Sequence, residues 1–496
     1  MWRIPNGVVA PHPNKDVPSW ERDFPIDESR SRTQGWRRGM NGPRHIRLIV
    51  ALAVVSASLN LARSDNWPAW RGPKGSGISR EKQLPLHWST NENVRWCVPL
   101  PDRGNSTPVI WDDRVFVTQA IRSEQRRLLL CFDRRDGALL WRRGPIWTSE
   151  EPTSDENPPC TPSPVTDGHR VIVWFGSAGV YCFDFEGREL WRRDLGRQSH
   201  PWGYASSPVL RRHLCFISFG PGERSFLAAL DKKTGRTVWR YEPPALTTFP
   251  AWEANNTLLP PSATPARLVD VAGSWGTPIL VRVAGHRELV AGAPLELTGF
   301  APKTGQKLWT CRGPSIGLYS SPFQGSGAIV LNASGLTNIV MAVRPGGRGD
   351  VTATHRLWIQ YPGLSKTCLG AGVILKDHIY QVNSMGIAEC RDLKTGDLVW
   401  EERLTGSGPQ GASWSCPVLA GDRIYAANRS AEVFVLQAAP RFECLATNSI
   451  GYEPMNASLA MADDQILLRT DKHLWCIGQP AHRKTAAARL TVPAER

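Results

Sequence analysis

No two cysteines stand adjacent in this chain, and none are spaced C-x-x-C, although eleven are present. That excludes a zinc ribbon, a c-type haem attachment and a thioredoxin-like redox pair, each of which needs close thiols. Walker A and H-E-x-x-H strings are absent too, and the eleven histidines show no metal-ligand spacing. GPSIG (313–317) satisfies G-x-S-x-G, but it lies between two strand-like segments, whereas a nucleophile elbow needs strand, turn and helix. No Lys/Arg run exceeds two residues, so the formal charge of +14 forms no basic stripe for nucleic acid. Residues 1–64 carry ten basic and five acidic side chains, and residues 479–496 four and one, which leaves a mildly basic body.

Long apolar runs are scarce as well. RHIRLIVALAVVSASLNLA (44–62) has a basic flank, an apolar stretch from Leu48 to about Val55 and small residues after it. That pattern reads as a secretory signal and is too short for a good membrane span. The expectation is an exported protein of the periplasm, cell envelope or medium, with no membrane span, and a monomer. Met40 then reads as the start, 1–39 as a non-native or disordered extension, and 40–62 as the signal peptide. The Arg37–Arg38 pair offers twin-arginine export as the alternative.

What the chain does have is tryptophan, 21 copies against 14 Phe and 8 Tyr, together with 44 Gly and 40 Pro. DKKTGRTVW (231–239) recurs as PKTGQKLW (302–309) and DLKTGDLVW (392–400). The closing Trp recurs at Trp141, Trp191, Trp239, Trp309, Trp358 and Trp400. Ahead of each lie a small or hydroxyl residue and Pro, an apolar hairpin, and a third strand running into the Thr-Gly turn. Four short strands per unit cannot bury both sheet faces alone, so units of this period stack radially as blades. Eight first strands begin near Pro108, Pro164, Pro208, Pro278, Pro322, Gly372, Pro417 and Leu459. The last unit ends one strand short at LWCIG (474–478), and VRWCVPL (94–100) is left over to close the ring and remove the open edges. The expected fold is therefore all-β: a single eight-bladed propeller over 94–478. A lead-in over 63–93 precedes it, and a basic, disordered tail over 479–496 follows.

In this frame the repeated Trp is structural, a large face with an N–H to satisfy against the next blade. Cys131, Cys182, Cys390 and Cys476 share a third-strand column with Ala229, Gly299, Ala342 and Val435, so they are small core residues. The state of Cys97, Cys160, Cys368 and Cys416 stays open, with one disulfide among them allowed in an exported protein.

The x-Asp-x-x-Thr-Gly-x-x-x-Trp line resembles the repeat of pyrroloquinoline-quinone (PQQ)-type propellers. The opening NWPAWRGPKGSG (66–77) with LPLHWSTNENVRW (84–96) is similar to the start of their exported bacterial branch. The resemblance implies three functional branches: quinoprotein dehydrogenases holding the quinone and Ca²⁺ in a central funnel, a cofactor-free outer-membrane assembly propeller, and a branch without assigned activity. The funnel column comprises Asn105, Thr161, Ala205, Trp275, Tyr319, Leu369, Trp414 and Asn456, and it holds no carboxylate. A vicinal cysteine pair to grip the quinone is missing. The expectation is a non-enzymatic binding or assembly module for a protein or envelope component, with no cofactor. The alternative is a PQQ-dependent oxidoreductase, and a glycosidase-like or sugar-binding propeller is disfavoured because no paired carboxylates appear. The candidate funnel residues are Asn105, Trp202, Tyr204, Trp275, Tyr319, Trp414 and Asn456, and no catalytic or metal-binding residue is assigned. The neighbouring hydroxyls (Ser106, Thr107, Ser163, Ser206, Ser207, Thr277, Ser320, Ser321, Ser415 and Ser458) read as small residues of a crowded channel. Two long connections, 144–160 and about 242–273 with Phe249 and Trp252, are the remaining candidates for partner surfaces.

Overall fold

Strands of two to eight residues, separated by Gly, Asp and Asn turns, pair mostly with their sequence neighbours and so build the protein blade by blade. The structure is a computed structural model that describes residues 65–222, 224–244, 273–334, 337–363 and 365–479. The extension, the signal segment, the tail beyond 479 and the Phe249 and Trp252 loop lie outside these residues. Eight antiparallel four-stranded sheets form the blades of the propeller. Their innermost strands are Val109–Trp111, Val165–Thr166, Val209–Arg211, Ile279–Val283, Phe323–Gly325, Val373–Leu375, Val418–Ala420 and Ala460–Ala462. The N-terminal strand Val94–Pro99 pairs with His473–Ile477 as the outer strand of blade 8, which joins the two ends of the ring.

Each outer strand repeats one register. Trp141, Trp191, Trp239, Trp309, Trp358 and Trp400 stand opposite Cys131, Cys182, Ala229, Gly299, Ala342 and Cys390, and a bulge follows each pair toward the turn. In blade 8 the closing strand sets Trp96 opposite Cys476. The indole N–H then crosses to the neighbouring blade's turn: Trp96 to Arg134 O, Trp141 to Phe185 O, Trp191 to Lys232 O, Trp239 to Pro302 O, Trp358 to Leu393 O and Trp400 to Ala439 O, all at 2.8–3.0 Å. The Thr-Gly turn receives the indole face. Gly235 has φ +70°, and a Cβ there would meet the Trp191 ring at 2.5 Å, so both backbone and space require glycine. The turn itself is held by Asp231, whose Oδ1 accepts the Lys233 and Thr234 N–H groups. In the same way Asp392 accepts from Lys394 and Thr395, and the Thr395 N–H holds its carboxyl below the usual range.

Blade 4 departs from the pattern. The Trp309 N–H bonds Oε2 of the fully buried Glu288 at 2.7 Å, and Gly349–Asp350 from the blade 5 loop adds a parallel strand to its outer edge. The core lies between successive blades. One cluster joins Ile172, Trp174 and Trp191 of blade 2 to Cys215, Ile217 and Leu230 of blade 3. All eleven cysteines are free thiols, Cys97, Cys160, Cys368 and Cys416 included, and burial pushes the Cys160 thiol up to about 12.

The described part of the lead-in, 65–93, is bonded into the propeller rather than a passive approach to it. Trp67 pairs with Ile110 of blade 1, and Pro68 O accepts from Thr166 of blade 2. Arg71 donates to Ala371 O and Gly372 O of blade 6, and Ile78–Ser79 adds a parallel strand to blade 7. Glu81 accepts the backbone N–H groups of Asp463 and Asp464 in blade 8. The segment therefore crosses the axis and fastens opposite blades together.

Candidate functional site

Alternation along an extended segment sends every second side chain toward the axis. All eight residues of the funnel column line one central cavity of about 390 Å³. Two residues further along each blade, a layer of small polar side chains lines the same cavity. In this layer the chain bonds itself blade to blade. The Thr107 N–H donates to Ser163 Oγ (2.9 Å), Ser163 to Ser207 (3.0 Å), Ser207 to Thr277 (2.9 Å) and Thr277 to Ser321 (2.8 Å). The Ala371 N–H donates to Cys416 Sγ (3.1 Å), Cys416 to Ser458 Oγ (2.9 Å), and Ser458 back to Thr107 Oγ1 (3.2 Å). The circle lacks a side-chain acceptor only at Ala371, where Arg71 of the lead-in docks on the backbone. Two of the intervening hydroxyls turn back into their own blades: Ser106 donates to Thr118 O and Ser415 to Ala427 O.

The cavity has two unlike sides. Blades 3 to 5 supply an aromatic wall in which the Trp202 and Trp275 ring centroids lie 5.8 Å apart. Tyr319 meets Trp275 edge-on at 5.2 Å and Trp202 at 5.9 Å. The Trp275 N–H donates to Gly203 O at 3.1 Å, and buried His200 sets its ring perpendicular to Trp275 at 4.9 Å. Burial pushes the Tyr319 hydroxyl up to about 12, so it stays protonated at neutral pH. Leu369 and Trp414 extend the wall, and the Arg429 guanidinium lies 4.9 Å over the Trp414 ring. Trp70 of the lead-in joins the lining as well.

The other side belongs to blades 8, 1 and 2 and is polar. Asn105 and Asn456 both donate to Glu156 O, at 2.7 and 3.1 Å, which ties the 144–160 connection over this side of the cavity. Asn157 of the same loop donates to Trp202 O at 2.7 Å and so spans to the aromatic side. Behind Asn105, the fully buried Arg469 donates to Ser106 Oγ, Thr118 O and Gln119 Oε1. Burial lowers Arg469 to about 10, which leaves it cationic at neutral pH.

Asn105, Trp202, Trp275, Tyr319, Trp414 and Asn456 are thus brought together. Tyr204 is not: it sits one residue before the column, packs on Trp174 at 5.0 Å and accepts the Cys160 N–H at 3.4 Å. Alternation turns it away from the axis. Sequence reasoning missed Trp70, which has no counterpart in the repeat, and the individual residues Ser154, Glu156 and Asn157, although the loop that carries them stood out by composition.

A quinone paired with Ca²⁺ requires several carboxylate oxygens in one place, since Ca²⁺ takes six to eight oxygen ligands. Glu156 is the sole acidic residue of the lining, and no metal-holding group of three His, Cys, Asp or Glu occurs among the described residues. This donor set does not fit that pair. Among the described residues no helix is long and apolar enough to cross a membrane.

The family model described as outer membrane protein assembly factor BamB matches residues 125–312 and 223–479. No curated protein matches the chain at a significant level. Among solved structures, BamB from Moraxella catarrhalis aligns with a TM-score of 0.53 at 13% identity, over 78% of this chain and 97% of its own. The computationally designed Ika8 protein aligns at 0.50 and 11% identity, over 78% and 99%. A europium-containing methanol dehydrogenase gives 0.49 and 11%, over 84% and 98%. At such identities the likeness concerns the fold alone. The matched segments run from blade 1 through blade 8, and the chain belongs to the PQQ-like β-propeller family that includes the outer membrane protein assembly factor BamB.

Proposed function

We propose that this chain is an exported, non-enzymatic binding or assembly module that meets a partner in the periplasm or cell envelope. The observation that carries the reading is the use made of the channel's hydroxyls. Six of them accept backbone N–H groups from the adjoining blade, so they serve the ring before any ligand. A catalytic base would have to be poised near neutrality beside the reacting atom. The aromatic wall supplies none, because Tyr319 is held protonated and the column contains no carboxylate. The name of the matched family, an assembly factor, supports a protein as the partner. The loop over 144–160, tied to the cavity's polar side, is the surface this reading assigns to that partner.

The second reading, a PQQ-dependent oxidoreductase, draws on the same aromatic wall as a stacking surface. The two separate by activity. Purified full-length protein, supplied with PQQ, Ca²⁺ and an artificial electron acceptor, is expected to reduce no dye with ethanol or glucose. Dye reduction above the rate without protein would overturn the module reading.

A further inference from the structure

The cavity's two sides specify a class of ligand, and we infer that it binds a neutral saccharide. This deepens the non-enzymatic reading and rests on it for the absence of turnover. The first observation is charge: the lining contains no Lys, Arg or His, so an anion entering it would lose its hydration without a compensating partner. A cation fares little better. The lining's one carboxylate, Glu156, is offset for it by the Arg429 guanidinium on Trp414 and by buried Arg469 behind Ser106, both already engaged with protein groups and outside the lining.

The second observation is the wall. Trp202, Trp275 and Tyr319 touch one another and make a continuous aromatic surface, and Trp414 and Trp70 join the same lining. The Trp275 indole is fixed by its bond to Gly203 O and by His200 against its ring, so the platform is set before any ligand arrives. A pyranose ring matches such a platform, because its C–H faces are apolar while its edge carries hydroxyls.

The third observation is the layer beneath. Each ring hydroxyl accepts one backbone N–H and still carries its own O–H proton and a second lone pair. A circle of groups that both donate and accept answers a ligand whose hydroxyls do the same. The volume of about 390 Å³ lies in the small-molecule range. The missing carboxylate pair, the ground on which the sequence disfavours a sugar-binding propeller, bears on hydrolysis of a glycoside and not on holding one.

The test is titration of the full-length protein with cellotriose, maltotriose and triacetylchitotriose, followed by tryptophan fluorescence and by heat. Choline serves as the cationic probe and citrate as the anionic one. At least one trisaccharide is expected to bind saturably, with neither ion competing. Trp202→Ala, at a position 39% exposed, is expected to weaken that binding about tenfold with the melting temperature unchanged. Trp414→Ala gives a second variant with the same expectation, should either one fold poorly. Failure of all three sugars at millimolar concentration, preferential binding of choline, or undiminished sugar binding by both variants would each overturn the inference. Sugar binding accompanied by PQQ-dependent dye reduction would instead sink the module reading and leave the saccharide site standing.

Discussion

The rim of the propeller and its central channel are built by opposite rules. At the rim the same parts recur from blade to blade: an indole opposite a small third-strand residue, its N–H on the next blade's turn, and a glycine beneath its face where the Thr-Gly turn is kept. At the channel mouth the eight equivalent positions hold Asn, Thr, Ala, Trp, Tyr, Leu, Trp and Asn, and among adjoining blades only 8 and 1, both Asn, agree. Repetition at the rim reports the packing each blade interface needs. Variation at the mouth reports freedom from that need, and it is there that aromatic and polar sides separate. Between the two, the hydroxyl circle repeats like the rim but lines the cavity like the mouth.

Substitutions break this comparison in order of size. Trp191→Ala removes a buried ring and its bond to Lys232 O and is expected to cost about 3–5 kcal/mol in denaturant unfolding. Ligand binding in the cavity should be unaffected, and a loss below about 1 kcal/mol would mean the rim indoles do not hold the ring. Ser163→Ala leaves the buried Thr107 N–H without its acceptor and should cost about 1–3 kcal/mol by the same measurement. A neutral result would make the circle decorative. Trp202→Ala, at the exposed mouth, should change stability by no more than about 0.5 kcal/mol.

The smallest effect is one of slope. Burial, ahead of the opposing bonds from Asp463 and Asp464, raises Glu81 from 4.5 to about 7. The fold therefore favours its protonated form. That contribution is complete below about pH 4.5 and is lost as the pH rises through about 7. The stability gap between wild type and Glu81→Gln should accordingly move in favour of wild type as pH falls from about 8 to about 5. A gap independent of pH would show that the lead-in's anchor on blade 8 does not titrate.

The rim was legible in the sequence because its causes are local. Period-two alternation, a turn glycine and a Trp at fixed spacing placed all eight first strands within two residues of where they lie, and they identified VRWCVPL as the closing strand. The funnel column was legible for the same reason, since each member stands three residues before the Pro, Gly or Leu that opens a strand. Tyr204 and Trp202 show where this reading fails. Tyr204 follows the alternation and turns away from the axis to Trp174, whereas Trp202 reaches the cavity from the preceding loop, its carbonyl held by the Asn157 amide. Trp70 could not be placed, because its neighbours belong to blades about 300 residues away, as the Arg71 bonds to Ala371 and Gly372 show. The blade-to-blade circle likewise appears only once adjoining blades are side by side.

On this reading the channel is a binding cavity that takes no quinone. The most direct test is the melting temperature of the purified full-length protein with and without PQQ and Ca²⁺. A ligand that binds the folded state alone raises that temperature in proportion to its occupancy. An unchanged melting temperature is expected; a saturable upward shift that disappears in Trp202→Ala would show that the channel holds the quinone.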